Sequence, residues 1–418
     1  MQATLRRPMP SYLPRALEPT LSARLESFPV VVLTGARQTG KSTLARMRGG
    51  DDRRYRTLDD LDVLEQAREA PDALVMRDRR VTLDEVQREP DLLRAIKRAV
   101  DEDREPGRYL LTGSANLVLM GQVSETLAGR AVYLTLYPMT VSETLGHGRV
   151  GGWDVLADAD PAFWPEHLAG SRLEPDWQWE DHARVGGYPE PATRLRTAGD
   201  RAAWFDGYLR TYLERDLQRL SAIDDLVAFQ RLVRASALRI GQVVNQAEIA
   251  RDVGLPSTTA QRYLGLLETS YQIVQLPPYA VSRTKRLVKS PKLYWSDTGL
   301  ALALTGASDP TGAHLENLLV ADLLAWRETR VPRPEVLYWR TYGGAEVDLV
   351  VETPSRLVPI EVKSAARVRM ADAKHLRIFM EEYPDRAPAG VILYGGGETY
   401  WLDDRTLALP IRTMLSPS

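Results

Sequence analysis

The chain contains no cysteine. That removes disulfides, Cys-ligated zinc and thiol nucleophiles together, so any metal must be held by oxygen or histidine. Long apolar runs are missing too: nothing approaches the roughly 20 residues of a membrane span, and no apolar signal core opens the sequence. The expectation is a cytoplasmic protein without a membrane partner. Net charge is small, -2 over 418 residues, but the mean hides segregation. Residues 150–181 carry eight carboxylates against the single Arg172, whereas residues 221–290 carry nine Lys/Arg against five Asp/Glu. A locally basic segment in a neutral chain fits a polyanionic partner or an ordinary solvated face. The length exceeds one ordinary core, and a hydrophobic content of 44% supports two or three globular domains.

What is present begins with V-V-L-T-G-A-R-Q-T-G-K-S-T-L, residues 31–44. An apolar run, a glycine-bounded loop and a helical pattern opening at a lysine make a phosphate cradle. Gly35 and Gly40 let the backbone N–H groups of Ala36, Arg37, Gln38, Thr39 and Thr43 turn toward an anion. Lys41 reaches the β- and γ-phosphates, and Ser42 places its hydroxyl on Mg²⁺. Strands are expected at Pro29–Thr34, Tyr55–Leu58, Arg80–Glu85, Arg108–Asn116 and Ala131–Leu136, with helices between them. That alternation predicts a parallel α/β sheet with its ligand at the carboxyl ends of the strands. There Asp84 is the expected Mg²⁺ ligand through water and Glu85 the residue that polarises the attacking water; a turn or cap is the plain reading of the same pair. Ser114, and after it Asn116, is placed to sense the γ-phosphate or simply to cap a helix. Arg130 is a candidate arginine finger, in its own subunit or across an interface, or a surface ion pair.

The ordered blocks G-A-R-Q-T-G-K-S, V-T-L-D-E, L-T-G-S and L-A-G-R-A resemble the AAA-type (AAA+) ATPases that precede a DUF4143 region. The resemblance implies ATP binding and hydrolysis on an AAA+ core, and assembly as a homo-oligomer, a ring or a dimer, with a hexameric ring favoured. It continues in G-G-Y-P-E-P at 186–191, in the Tyr208–Leu217 segment, and in K-L-Y-x-x-D-T-G-L at 292–300.

The expected domains are a P-loop ATPase domain (1–145), an acidic insertion anchored by Trp153, Trp164, Trp177 and Trp179 (146–181), a helical lid with a winged helix-turn-helix (182–288), and a C-terminal α/β domain (289–418). In the third, a helix from Gln246 ends at Gly254, a second starts at Pro256-Ser257, and a β-like run covers Gln272–Leu276. If this module binds DNA, Ser257, Thr258, Thr259, Gln261 and Arg262 face the major groove, and Arg283, Lys285 and Arg286 lie on or beyond the wing near phosphates. Winged helices also contact proteins.

In the C-terminal domain, Glu316 on a helix, Asp348 on a strand, and Glu361 and Lys363 one strand later resemble the PD-(D/E)xK, or restriction-endonuclease-like, fold. Glu361 and Lys363 share a strand face because the side-chain period is two. Glu316, Asp348 and Glu361 are expected to hold Mg²⁺ or Mn²⁺, with Lys363 positioning a water for phosphodiester cleavage; a degenerate fold kept for contact is the equal alternative. The sequence therefore predicts a Mg²⁺-ATPase acting on DNA, with or without metal-dependent cleavage. The rival is an ATP/ADP switch that regulates a protein partner.

Overall fold

The computed structural model describes residues 12–48, 52–113, 127–170, 173, 176–211, 223, 225–282, 284, 286 and 289–416. The expectations placed on Ser114, Asn116, Arg283 and Lys285 lie outside these residues, as does most of the segment 208–217.

The apolar run Val30–Leu33 forms, with Thr34, a strand buried along its whole length, β1 (Val30–Thr34). Such continuous runs suit a strand covered on both faces. With β2 (Arg54–Thr57), β3 (Val81–Asp84), β4 (Tyr109–Thr112) and β5 (Ala131–Thr135) it makes a parallel sheet in the order β2-β3-β4-β1-β5. Alternate β1 residues feed opposite cores. Val30 and Val32 pack with Leu92 and Ile96 of the helix Leu92–Glu102. Val31 and Leu33 pack with Leu21 and Leu44, from the helices Glu18–Ser27 and Lys41–Met47. Neighbours on β1 lie to either side, so the loop after Thr34 opens at the point where the sheet order reverses, the usual place for a ligand.

The winged module is built from the helices Leu226–Ala237, Gln246–Val253 and Ser257–Thr269 and an antiparallel pair, β6 (Ile273–Leu276) with β7 (Lys292–Trp295). Asn245 caps the second helix by accepting from the Glu248 amide, and Gly254 ends it in the left-handed region. Because β7 closes the wing, the module straddles the expected boundary at 288/289; strand pairing across a connection leaves no mark in local sequence.

The C-terminal sheet comprises β8 (Glu335–Arg340), β9 (Glu346–Glu352), β10 (Leu357–Lys363), β11 (Gly390–Tyr394), β12 (Tyr400–Trp401) and β13 (Thr406–Pro410), ordered β12-β13-β11-β10-β9-β8. The helix Gly312–Thr329 covers one face through Leu315, Leu319 and Leu323. The helix Lys374–Glu382 covers the other through Leu376, Phe379 and Met380.

The acidic insertion is no appendage. Trp153, Trp164 and Trp179 are buried in an apolar cluster that continues through Phe229, Leu264 and Trp295 to Leu319 and Ile360. The Trp153 indole donates to Asp322, and the Trp326 indole donates to Asp154 at 2.7 Å. The tryptophans thus fasten the insertion to the helix Gly312–Thr329.

Candidate active site and a second polar cluster

The loop between β1 and the helix Lys41–Met47 takes its shape from residues free to enter the left-handed region: Gly35 at φ 138° and Gly40 at φ 96°, with Gln38 also at positive φ, 61°. A Cβ on Gly35 would stand 2.3 Å from the Leu136 carbonyl oxygen, so only glycine fits there. Lys41 is buried, and its ammonium donates to the carbonyls of Gly35 at 3.0 Å and Ala36 at 2.6 Å. Burial brings its pKa down to about 8 against the upward pull of Glu85 and Asp84. Two neutral carbonyls satisfy its hydrogen bonds but not its charge.

Asp84, the last residue of β3, is buried and accepts from Ser42 Oγ at 2.9 Å, from Tyr55 Oη at 2.6 Å and from Thr112 Oγ1. Burial and the bond to Asp84 push the Tyr55 phenol up to about 12. A hydroxyl and a carboxylate facing each other at the loop mouth form an oxygen donor set that fits Mg²⁺. Glu85 leaves the strand at φ 59°, and its carboxylate accepts from the Gln87 side chain. A non-glycine residue in that region costs of order 1 kcal/mol or more and persists only where its surroundings impose it.

Sequence reading passed over several residues that contact this loop. Arg15 donates to the Thr39 carbonyl at 2.8 Å and the Tyr137 carbonyl at 2.7 Å, and pairs with Glu143 at 3.2 Å. Tyr271, in the turn between the helix Ser257–Thr269 and β6, donates to Thr34 Oγ1 at 2.9 Å, one residue ahead of Gly35. Tyr208 Oη lies 3.5 Å from the Arg37 carbonyl and accepts from Gln272 Nε2 at 3.3 Å. Arg15 and Tyr271 carry no motif, and Tyr208 opens a block whose spacing says nothing of the loop; all three reach it only through folding.

Arg130 precedes β5, whose first residue pairs with Val30 at the start of β1. It is therefore separated from the loop by the length of β1, about 13 Å at the usual strand rise, and it pairs with Asp101 at 2.6 Å. The same-subunit arginine-finger role is corrected by this geometry, since Arg130 stands at the amino ends of strands whose carboxyl ends carry the loop. In the winged module Ser257, Thr258, Gln261 and Arg262 are exposed and Thr259 is half-buried. Arg286 is a correction: buried, it donates to Glu335 at 2.7 Å and Glu352 at 2.5 Å, so two carboxylates already neutralise the charge expected near phosphates.

The C-terminal sheet does bring Glu316, Asp348, Glu361 and Lys363 together, but around a cation of the chain's own. Lys292 Nζ lies 2.7 Å from Glu346, 3.2 Å from Glu316 and 3.5 Å from Asp348. Lys363 donates to Glu361 at 2.7 Å, Tyr294 donates to Glu316, and the Val362 amide donates to Asp348 at 3.0 Å. Burial and the Asp348 charge hold Glu316 and Glu361 above the usual carboxylate range. Burial alone would lower Lys292, but Glu316, Asp348 and Glu346 outweigh it and keep the ammonium charged. The expected Mg²⁺ or Mn²⁺ site on Glu316, Asp348 and Glu361 is thus corrected: the Lys292 ammonium lies against Glu316 and Asp348, and Lys363 holds Glu361. Among the described residues no cluster of three or more Asp, Glu or His stands ready to hold a metal ion.

Comparison with known proteins divides the chain among three family models. Residues 27–145 match the model of the AAA domain, residues 176–311 a domain of unknown function, DUF8612, and residues 311–414 the domain of unknown function DUF4143. The blocks at 186–191 and 292–300, read above as DUF4143, thus fall in the stretch matched by DUF8612. Uncharacterized proteins of Mycobacterium bovis and Mycobacterium tuberculosis are each 32% identical over 406 residues, which is 95% of this chain and 83% of theirs. An uncharacterized protein of Haemophilus influenzae is 22% identical over 221 residues, 51% of this chain and 50% of its own. Among solved structures, a Walker-type ATPase of Pyrococcus abyssi matches with TM-score 0.46 and 16% identity, over 70% of this chain and 99% of that one. No helix among the described residues is long and apolar enough to cross a membrane. By its P-loop sheet, its matched domains and its near full-length mycobacterial relatives, the chain belongs to the AAA-type ATPases with a C-terminal DUF4143 region.

Proposed function

We propose that the protein is a Mg²⁺-dependent ATPase that couples ATP hydrolysis to the binding and remodelling or translocation of duplex or branched DNA, as a homo-oligomeric ring. Lys41 binds the β- and γ-phosphates, and Ser42 and Asp84 hold Mg²⁺, which supplies charge neutralisation there. Glu85, steadied by Gln87, orients the attacking water. Arg130, remote from the loop of its own chain, acts on the nucleotide of a neighbouring copy.

The DNA reading draws on the exposed Ser257, Thr258, Gln261 and Arg262 of the winged module, and its coupling to ATP on the hydrogen bond from Tyr271 to Thr34. That bond joins the turn after the helix bearing Ser257, Thr258, Gln261 and Arg262 to the residue before the phosphate loop. A shift of that helix on binding DNA is thereby felt at the loop, and a shift of the loop on hydrolysis at the helix. The test is steady-state ATPase with linear, single-stranded and branched DNA beside Glu85→Gln. Stimulation by at least one DNA, with turnover lost but ATP binding retained in Glu85→Gln, is the expected result; a rate indifferent to every DNA sinks the reading.

A second reading draws on the same hydrogen bond, which would transmit nucleotide state to any partner of the winged module. It is a slow switch that binds a protein in one nucleotide state. Very slow turnover and nucleotide-dependent capture of a protein, without DNA affinity, would identify it.

A further inference from the structure

We propose that Lys292 permanently takes the place of a divalent cation in the C-terminal sheet, so that this domain works without metal and does not cut nucleic acid, and that removing this one ammonium converts the nest into a metal site. The inference does not depend on what the ATPase acts on.

Three elements meet at the ammonium: β7 supplies Lys292, the helix Gly312–Thr329 supplies Glu316, and β9 supplies Glu346 and Asp348, while Glu361 on the adjoining β10 is held by Lys363. A hard divalent ion binds carboxylate oxygens at roughly 2.0–2.6 Å. An ammonium lying 2.7–3.5 Å from three of these carboxylates fills the space such an ion would need. Lys292 cannot swing aside to admit one. Its backbone is held on both sides, paired with Leu276 of β6 and bridged to Val243. Its stem runs beside the Tyr338 ring, with Nζ 5.6 Å from the ring centre, and the residue is only 2% exposed. The charge is shared out as well: Lys363 holds Glu361, and Arg340 approaches Glu346 at 3.7 Å, so four carboxylates meet three cations of the chain itself. The arrangement also has a mechanical side. The wing strand inserts its lysine among carboxylates of the neighbouring domain, and a metal in its place would sever that brace. The buried Glu361 Oε2 has no hydrogen-bond partner and would give the nest a further oxygen once Lys292 is gone.

The test uses the full chain with Lys41→Ala in every sample and no nucleotide, so that metal at the phosphate loop does not count. Mn²⁺ binding is followed by electron paramagnetic resonance and by the thermal midpoint. With Lys292 present, Mn²⁺ is expected to bind nowhere that Asp348→Asn affects, and the midpoint should not respond. Lys292→Ala should show a lowered midpoint in chelator, restored by Mn²⁺ that binds stoichiometrically and is lost when Asp348→Asn is added. Lys292→Arg should behave as the chain with Lys292. Should Lys292→Ala fold only when refolded with Mn²⁺, that too supports the proposal. It is overturned by Mn²⁺ bound in the chain with Lys292 and released by Asp348→Asn, by a folded Lys292→Ala that binds none, or by a Lys292→Ala that neither folds nor is rescued by Mn²⁺.

Discussion

Two buried lysines divide this molecule's chemistry between them. Lys41 offers its ammonium to two neutral carbonyls, and burial draws its pKa down to about 8. Lys292 is embedded among three carboxylates, and its pKa is held above the ordinary value against burial. The same side chain, equally removed from water, is an unanswered charge in one place and an answered one in the other. An unanswered buried cation is a binding site for an anion, whereas an answered one is a structural member.

The largest expected effect separates the two directly. Lys292→Met leaves several carboxylates buried without their cation and should lower the urea unfolding free energy by about 3–5 kcal/mol, the cost of breaking a buried pair. Lys41→Met deprives two carbonyls of a donor and removes a charge whose burial outweighs the pull of Glu85 and Asp84, so the nucleotide-free chain should lose little stability or gain some. Equal losses in the two variants would erase the contrast.

Ligand binding should reverse the ranking. Charge-assisted hydrogen bonds contribute about 1.5–3 kcal/mol, so Lys41→Met should weaken ATP binding by roughly tenfold or more in equilibrium titration, while Lys292→Arg should leave it unchanged. Tyr271→Phe, which deletes one hydroxyl, should cost about 1 kcal/mol in stability. It should keep the basal ATPase rate and reduce stimulation by DNA; undiminished stimulation would show that Thr34 is not the link.

The smallest effect is in protons. The Lys41 pKa in the free chain is depressed, so above about 8 its amine is neutral there, and the negative charge of bound phosphates raises the pKa again. ATP binding should therefore take up a proton above pH 8 and none well below it, read by calorimetry in buffers of different ionisation enthalpy. Lys41→Met should abolish the uptake.

The phosphate loop was legible because everything it needs is contiguous. Glycines at fixed offsets, a lysine and a serine after an apolar strand dictate local backbone geometry whatever surrounds them. Asp84 was legible for a related reason: an apolar strand ending in acids in a parallel sheet delivers them to the ligand edge. Glu361 and Lys363 were placed on one face by strand period alone. Lys292 escaped this reading although it fell in the expected C-terminal domain: it lies 24 residues from Glu316 and 56 from Asp348, on a strand that only folding places in the wing and against the carboxylates. Arg286 was misread for the same reason. A basic residue in a basic segment looks available to phosphate until folding sets Glu335 and Glu352 against it.

By itself, then, the sequence determined a P-loop sheet, the residues at its mouth, a helix-turn-helix and a second sheet with acids on one face, since each depends on spacing within a single element or its neighbour. Only the tertiary structure decided which charges remain free to act. Charge is neutralised across space rather than along the chain, and the partners of Lys292, Arg286 and Thr34 come from elements that meet only in the folded protein.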